Sequence, residues 1–151
     1  MKLLPFLLLL SFFAQAQSHQ FINPTGLRNA SKSYSQVVVA TGIRTVYVSG
    51  QVALDSTGQI VGKGDLRAQV RRVYENLQIA LKAAGATWAD VVKTTTFVVN
   101  TNTEKIGIVR DVRNQFYVGL TNPPASTYIG VQGLYDPEIL VEIEAIAVLP
   151  K

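Results

Sequence analysis

The stretch Leu140-Val141-Glu142-Ile143-Glu144-Ala145-Ile146-Ala147-Val148-Leu149 decides the fold. It holds neither glycine nor proline, and a two-residue period sorts it into two faces. Val141, Ile143, Ala145 and Ala147 share one face, while Leu140, Glu142, Glu144, Ile146 and Val148 share the other. A strand that is apolar on both sides belongs inside a sheet covered on both sides. Residues 37–39 (Val-Val-Val) and 97–99 (Phe-Val-Val) have the same double-sided character.

Outward from this strand, a loop with Gly133, Asp136 and Pro137 leads back to a strand over 126–131, itself set off by Asn122-Pro123-Pro124. An amphipathic helix over about 103–117 places Ile106, Val109, Val112, Phe116 and, beyond it, Leu120 on one side. Gly107 and the β-branched residues weaken its propensity, so packing must hold it. Residues 91–100 are rich in Val and Thr and read as a strand, entered through a capping box at Thr87-Trp88-Ala89-Asp90. Asp65 is a helix N-cap, followed by Leu66, Val70, Val73, Leu77, Leu81 and Ala84 at three- and four-residue steps, with Gly85 closing the helix. Strands over 36–40 and 45–51 come first, joined by a turn at 41–44.

The order is β-β-α-β-α-β-β, an α+β single domain with one mixed sheet and both helices on one face. Strand, helix, strand demands a parallel crossover. Two helices cover one face of such a sheet; with no third helix, further copies of the chain are the natural cover for the other, which predicts a homo-oligomer.

Of 151 residues, 16% are charged and 48% are apolar, a composition that excludes a disordered chain. There is no cysteine and one histidine, His19, so a disulfide framework, a thiolate metal site and a histidine-based triad are all excluded within one chain. The net charge of +4 is too modest to argue for a nucleic-acid or anionic-lipid partner. Residues 1–16 read as a secretory signal peptide: Lys2, an apolar run over 3–13, then the small-x-small pattern Ala14-Gln15-Ala16. Residues 17–33 form a polar N-terminal arm, and 34–151 the domain. The expectation is a secreted or periplasmic protein with no membrane association once the leader is removed.

For chemistry, Glu142 and Glu144 point to the face shared with Ile146 and Val148. A carboxyl group withdrawn from water there suits general acid–base work, whereas one at a strand end in water is ordinary surface. Arg67, Arg71 and Arg72 read as a solvated helix face. Phosphate loops, dinucleotide fingerprints and a nucleophile-elbow serine are missing.

Several short motifs occur in order: Tyr34-Ser35-Gln36, Val48-Ser49-Gly50-Gln51, Asn76-Leu77, Ala84-Gly85-Ala86, Asp90-Val91-Val92-Lys93-Thr94, Pro124-Ala125 and Val141-Glu142-Ile143-Glu144-Ala145-Ile146-Ala147. From about residue 20 to the end, the chain resembles the RidA/YjgF family of reactive-intermediate deaminases. That resemblance implies a chorismate-mutase-like homotrimer with three clefts between subunits. It implies hydrolysis of small 2-imino or enamino acids to 2-oxo acids and ammonia, as by a 2-iminobutanoate/2-iminopropanoate deaminase, with no cofactor and no metal. It assigns Glu142 to the attacking water, Tyr34 to the cleft, and Gly50 and Ala125 to backbone that holds the ligand. It also implies an arginine after Pro-Ala that clamps the substrate carboxylate.

Here Ser126 stands at that arginine's position, and Tyr128 where the family usually has a small residue. A serine hydroxyl cannot neutralise a carboxylate, so ordinary 2-imino acid chemistry is in question. Arg110, where asparagine is frequent in the family, is either a replacement charge or a surface residue. Two main readings follow: a hydrolase on imine, enamine or related C–N substrates, with Ser126 and Tyr128 reshaping the pocket, or a non-catalytic trimeric small-metabolite binding module. Ribonuclease action, ascribed to some family members, is a third, and no basic base-stacking groove supports it.

Overall fold

The computed structural model of the chain describes residues 19–23, 32, 35 and 37–150. The leader expected over 1–16, Tyr34 and most of the arm over 17–33 lie outside the described residues. The described residues form six strands: β1 (Gln20–Ile22), β2 (Val37–Val39), β3 (Arg44–Gln51), β4 (Val91–Val99), β5 (Ala125–Val131) and β6 (Val141–Leu149). Helix α1 (Leu66–Ala83) lies between β3 and β4, with a 3-10 turn at Trp88–Asp90, and helix α2 (Thr103–Phe116) lies between β4 and β5.

The principal sheet has the order β3-β6-β4-β5. β6 runs antiparallel to both of its neighbours, while β4 and β5 are parallel. The last strand is therefore inserted between the two ends of the first crossover, which explains why it is the most deeply buried strand of this sheet. One difference from the sequence expectation concerns the N-terminal segment. The arm contributes β1, and β2 pairs antiparallel with it in a separate two-stranded sheet, Phe21 opposite Val38. A strand apolar on both sides accepts whichever partner its neighbouring chain supplies, and Phe21 and Ile22 supply one here.

Local signals fix both helices. Asp65 Oδ1 accepts from the Ala68 amide at 3.1 Å and starts α1. At its other end Gly85 takes φ 75°, the Gly85 amide reaches the Lys82 carbonyl, and the Ala86 amide reaches the Leu81 carbonyl. This pairing satisfies the last carbonyls. Asn102 caps α2 by accepting from the Lys105 amide at 2.8 Å. The buried stripe of α1 (Leu66, Val70, Val73, Leu77 and Leu81) meets Val141, Ile143, Ala145 and Ala147 of β6 in one core. Gln69 is buried within that core: its amide donates to the Glu138 carbonyl at 2.7 Å, and its oxygen accepts from the Leu140 amide at 2.9 Å. It thus fixes the chain just before β6.

Candidate functional site

Register assigns Glu142, Ser126 and Tyr128 each to a face of the sheet. Opposite β6, Phe97 pairs with Glu142 and Thr96 with Ile143. Opposite β5, Thr94 pairs with Ser126 and Thr96 with Tyr128. Since Ile143 and Thr96 are buried beneath the helices, Ser126 and Tyr128 point to the helix side, and Glu142 points to the open side. Within one chain the structure does not bring these residues together.

On the open side, Glu142 is half-buried and its carboxylate lies over Gly50. A Cβ on residue 50 would come within 2.7 Å of Glu142 Cδ and 2.9 Å of its Cγ, so only glycine leaves this room. Gly50 sits where the β3–β6 register shifts between Val48 and Gln51, an irregularity of the bulge type that re-aims side chains. Lys93 belongs to the same side. Its ammonium donates to Thr127 Oγ1 and to the Thr94 carbonyl, and burial holds it below the usual lysine range against the pull of Glu144. The rest of this face mixes polar Glu144, Thr95 and Thr127 with apolar side chains left in water, Tyr47 77% exposed and Ile129 37% exposed.

On the helix side, a cavity of about 390 Å³ opens between α2 and strands β4 and β5. Tyr74, Thr96, Ile106, Val109, Arg110, Arg113, Ser126 and Tyr128 line it. Ser126 Oγ accepts from Thr94 Oγ1 at 3.4 Å, and the Tyr128 hydroxyl is 2.8 Å from Thr101 Oγ1. Burial raises the Tyr128 phenol above its ordinary pKa, opposed by that hydrogen bond. Tyr74, stacked on Phe116 with ring centroids 5.1 Å apart, closes the back; its phenol is pushed well up by burial and stays protonated. Ala125 opens β5 beside Pro123 and Pro124, whose carbonyls accept from Ser35 Oγ at 2.7 Å and from its amide at 3.3 Å. Ser35 is therefore held at the same end of β5 as Ala125 and Ser126.

Of the residues lining the cavity, sequence reasoning set Arg110 between site and surface and left Thr96 without a role; Arg113, three residues on from Arg110, lines it with them. The three-residue spacing of the arginines was the available signal, but the cavity exists only once α2 is seated on β5. Arg71 and Arg72, read as a solvated face, serve as ties: Arg71 Nη2 donates to Gln115 Oε1 at 2.8 Å, and Arg72 Nε to the Leu54 carbonyl at 2.9 Å. Among the described residues, no group of three His, Cys, Asp or Glu could hold a metal ion, and no helix is long and apolar enough to cross a membrane.

Comparison with known proteins adds four findings. The sequence model of a family described as Endoribonuclease L-PSP matches residues 26–149. A rat 2-iminobutanoate/2-iminopropanoate deaminase is 38% identical over 117 residues, covering 77% of this chain and 80% of its own. The crystal structure of YyfB, from the conserved Rid protein family of Yersinia pestis, matches with a TM-score of 0.82 at 40% identity, covering 87% of this chain and 98% of that one. The YjgF gene product of E. coli matches with a TM-score of 0.61 at 30% identity, covering 73% and 87% respectively.

Proposed function

The chain belongs to the RidA/YjgF family, and on that premise we propose that it is a hydrolase of small imines or enamines acting in clefts between the subunits of a homotrimer. The observation that carries this reading is the split of the site between two faces of one sheet. Glu142 and Gly50 occupy an uncovered face that exposes Tyr47 and Ile129, and the cavity with Ser126 and Tyr128 occupies the other. A cleft that contains both halves needs the open face of one copy against the cavity of the next. Burying Tyr47, Phe97 and Ile129 in that contact supplies the hydrophobic gain that assembly requires.

In such a cleft Glu142 acts on water. The water oxygen bonds to the imine carbon, the C=N electron pair moves to nitrogen, and Glu142 takes the proton that water gives up. Returned to nitrogen, that proton completes the neutral carbinolamine. Glu142 then takes the carbinolamine hydroxyl proton and passes it to nitrogen, so that C=O forms as the C–N bond breaks and ammonia leaves with that proton. Gly50 keeps the carboxylate seated at the sheet surface. We place the protein outside the cytoplasm after removal of residues 1–16; N-terminal sequencing of the exported protein should begin at Gln17, and an intact Met1 would contradict that placement.

The test is release of ammonia and 2-oxobutanoate from freshly generated 2-iminobutanoate. Wild type should exceed the buffer rate, and Glu142→Gln should fall to it while sedimenting as the same oligomer. A variant at full rate would remove Glu142 from the reaction. A wild type at the buffer rate would favour the binding module, for which Ser126 in place of a cation is the motivating feature.

A further inference from the structure

The lining of the helix-side cavity carries two guanidinium groups and no carboxylate. Arg110 and Arg113 are three residues apart on α2, so their Cβ atoms lie roughly 5–6 Å apart on one helix face. Across from them, β4 and β5 offer only the hydroxyls of Thr96, Ser126 and Tyr128. The cavity is therefore positive on one wall and hydrogen-bonding but neutral on the other.

The intrachain partners of the two arginines leave this charge largely unbalanced. Arg110 Nε approaches Asp111 Oδ1 at 3.8 Å, beyond hydrogen-bond distance, and both side chains are more than half exposed. The other oxygen of Asp111 is 3.8 Å from Arg67 Nη2, so one carboxylate faces two guanidinium groups. Arg113 gives its Nε and Nη2 to the amide oxygen of Asn114, a neutral acceptor, and its Cζ lies 5.8 Å from the centroid of the Tyr117 ring. Those contacts orient the Arg113 guanidinium without neutralising it.

We propose that Arg110 and Arg113 together form the anion clamp of this cavity and hold the carboxylate of the substrate from the helix wall. The inference rests on the hydrolase reading for its site and deepens it by assigning the grip on the substrate carboxylate to α2 and not to β5. Guanidinium is suited to the task because it stays charged and offers paired donors to both carboxylate oxygens. Ser126, Thr96 and Tyr128 then act as hydroxyl donors to whatever polar atoms the rest of the ligand presents.

Binding, measured by calorimetry on the assembled full chain, tests this apart from turnover. The probes are 2-oxobutanoate, an unreactive carboxylate, and its neutral amide. Wild type should bind 2-oxobutanoate more tightly than the amide. Arg110→Gln should weaken 2-oxobutanoate by about 10- to 100-fold, the range for losing a charge-assisted pair, and Arg113→Gln by about 10-fold. Neither should move the amide by more than about twofold, and Arg110→Lys should recover part of the loss. Lys82→Gln, on the exposed last turn of α1, removes a charge elsewhere and should change nothing. Equal weakening of both probes, unchanged 2-oxobutanoate binding in both arginine variants, or no binding by wild type would overturn the clamp. Glu142→Gln should keep 2-oxobutanoate affinity. The hydrolase reading and the clamp therefore fail separately, one by absent turnover and the other by absent charge dependence.

Discussion

The two faces of the four-stranded sheet differ in the residues they carry and in how they are covered. Beneath the helices, Val141, Ile143 and Ala147 are completely buried, and their neighbours across the layer are Leu77, Val70 and Val73 of α1. On the other face Tyr47 and Ile129 remain in water, and Glu142 and Lys93 sit among them. The first face has what a folded chain needs. The second has apolar surface together with half-buried charge, a combination that a lone domain has no use for and that a subunit contact can exploit. Folding stability thus resides on the helix side, while the proposed cleft draws on the open face together with the cavity at the helix side's margin.

Substitutions can break or sharpen that contrast. Leu77→Ala, in the fully buried stripe of α1, should cost about 2–5 kcal/mol of folding free energy, as large-to-small core changes do, read as a lowered urea midpoint. A loss below about 1 kcal/mol would mean that the helix side is not the principal core. Tyr47→Asp, on the open face, should leave the far-ultraviolet circular dichroism spectrum of the chain unchanged yet weaken assembly by at least about tenfold in sedimentation equilibrium, since a charge must then be desolvated in the contact. Unaltered assembly would free that face from the contact. Gly50→Ala places a methyl group against the Glu142 carboxylate. It should lower kcat by about tenfold or more through displacement of that group, with little change in KM. Equal kcat in this variant would show that Glu142 need not lie over residue 50.

The smallest effect concerns pH. Burial lowers the folded-state pKa of Lys93, so the unfolded chain binds more protons between that lowered value and the ordinary lysine value of 10.5. Stability should therefore gain a small increment from this group as pH rises through that window, and Lys93→Met should remove the increment. A decrement there would reverse the assignment of Lys93 as a desolvated cation.

Local features of this architecture were legible in the sequence, because their causes are local. Asp65, Gly85 and the Thr87–Asp90 box mark their own termini by side-chain capping or permitted backbone geometry. The stripe of α1 is equally plain from its spacing. Gln69 is not, since a glutamine in a core is tolerable only through partners at Gly62, Glu138 and Leu140, two of them some seventy positions away. The same holds for the site. Alternation gives Glu142 one face and Ser126 some face, but only the pairing of Thr94 with Ser126 and of Phe97 with Glu142 shows the faces to be opposite. Arg110 and Arg113 can be seen to share a helix face from their spacing, while the cavity they line depends on how α2 sits across β5. Pairing of β1 with β2 was missed because three-residue strands carry too little periodicity to announce themselves.

Subunit complementation tests the division of the site most directly. Glu142→Gln disables the open-face half, and Ser126→Trp fills the cavity half; each variant alone should be inactive on 2-iminobutanoate. Co-expressed one to one and purified as mixed oligomers, they should regain about a quarter of wild-type activity, because random assembly around a ring pairs two intact halves in about one cleft in four. No activity above that of the separate variants would mean that each chain carries a whole site, and the two-copy cleft would be wrong.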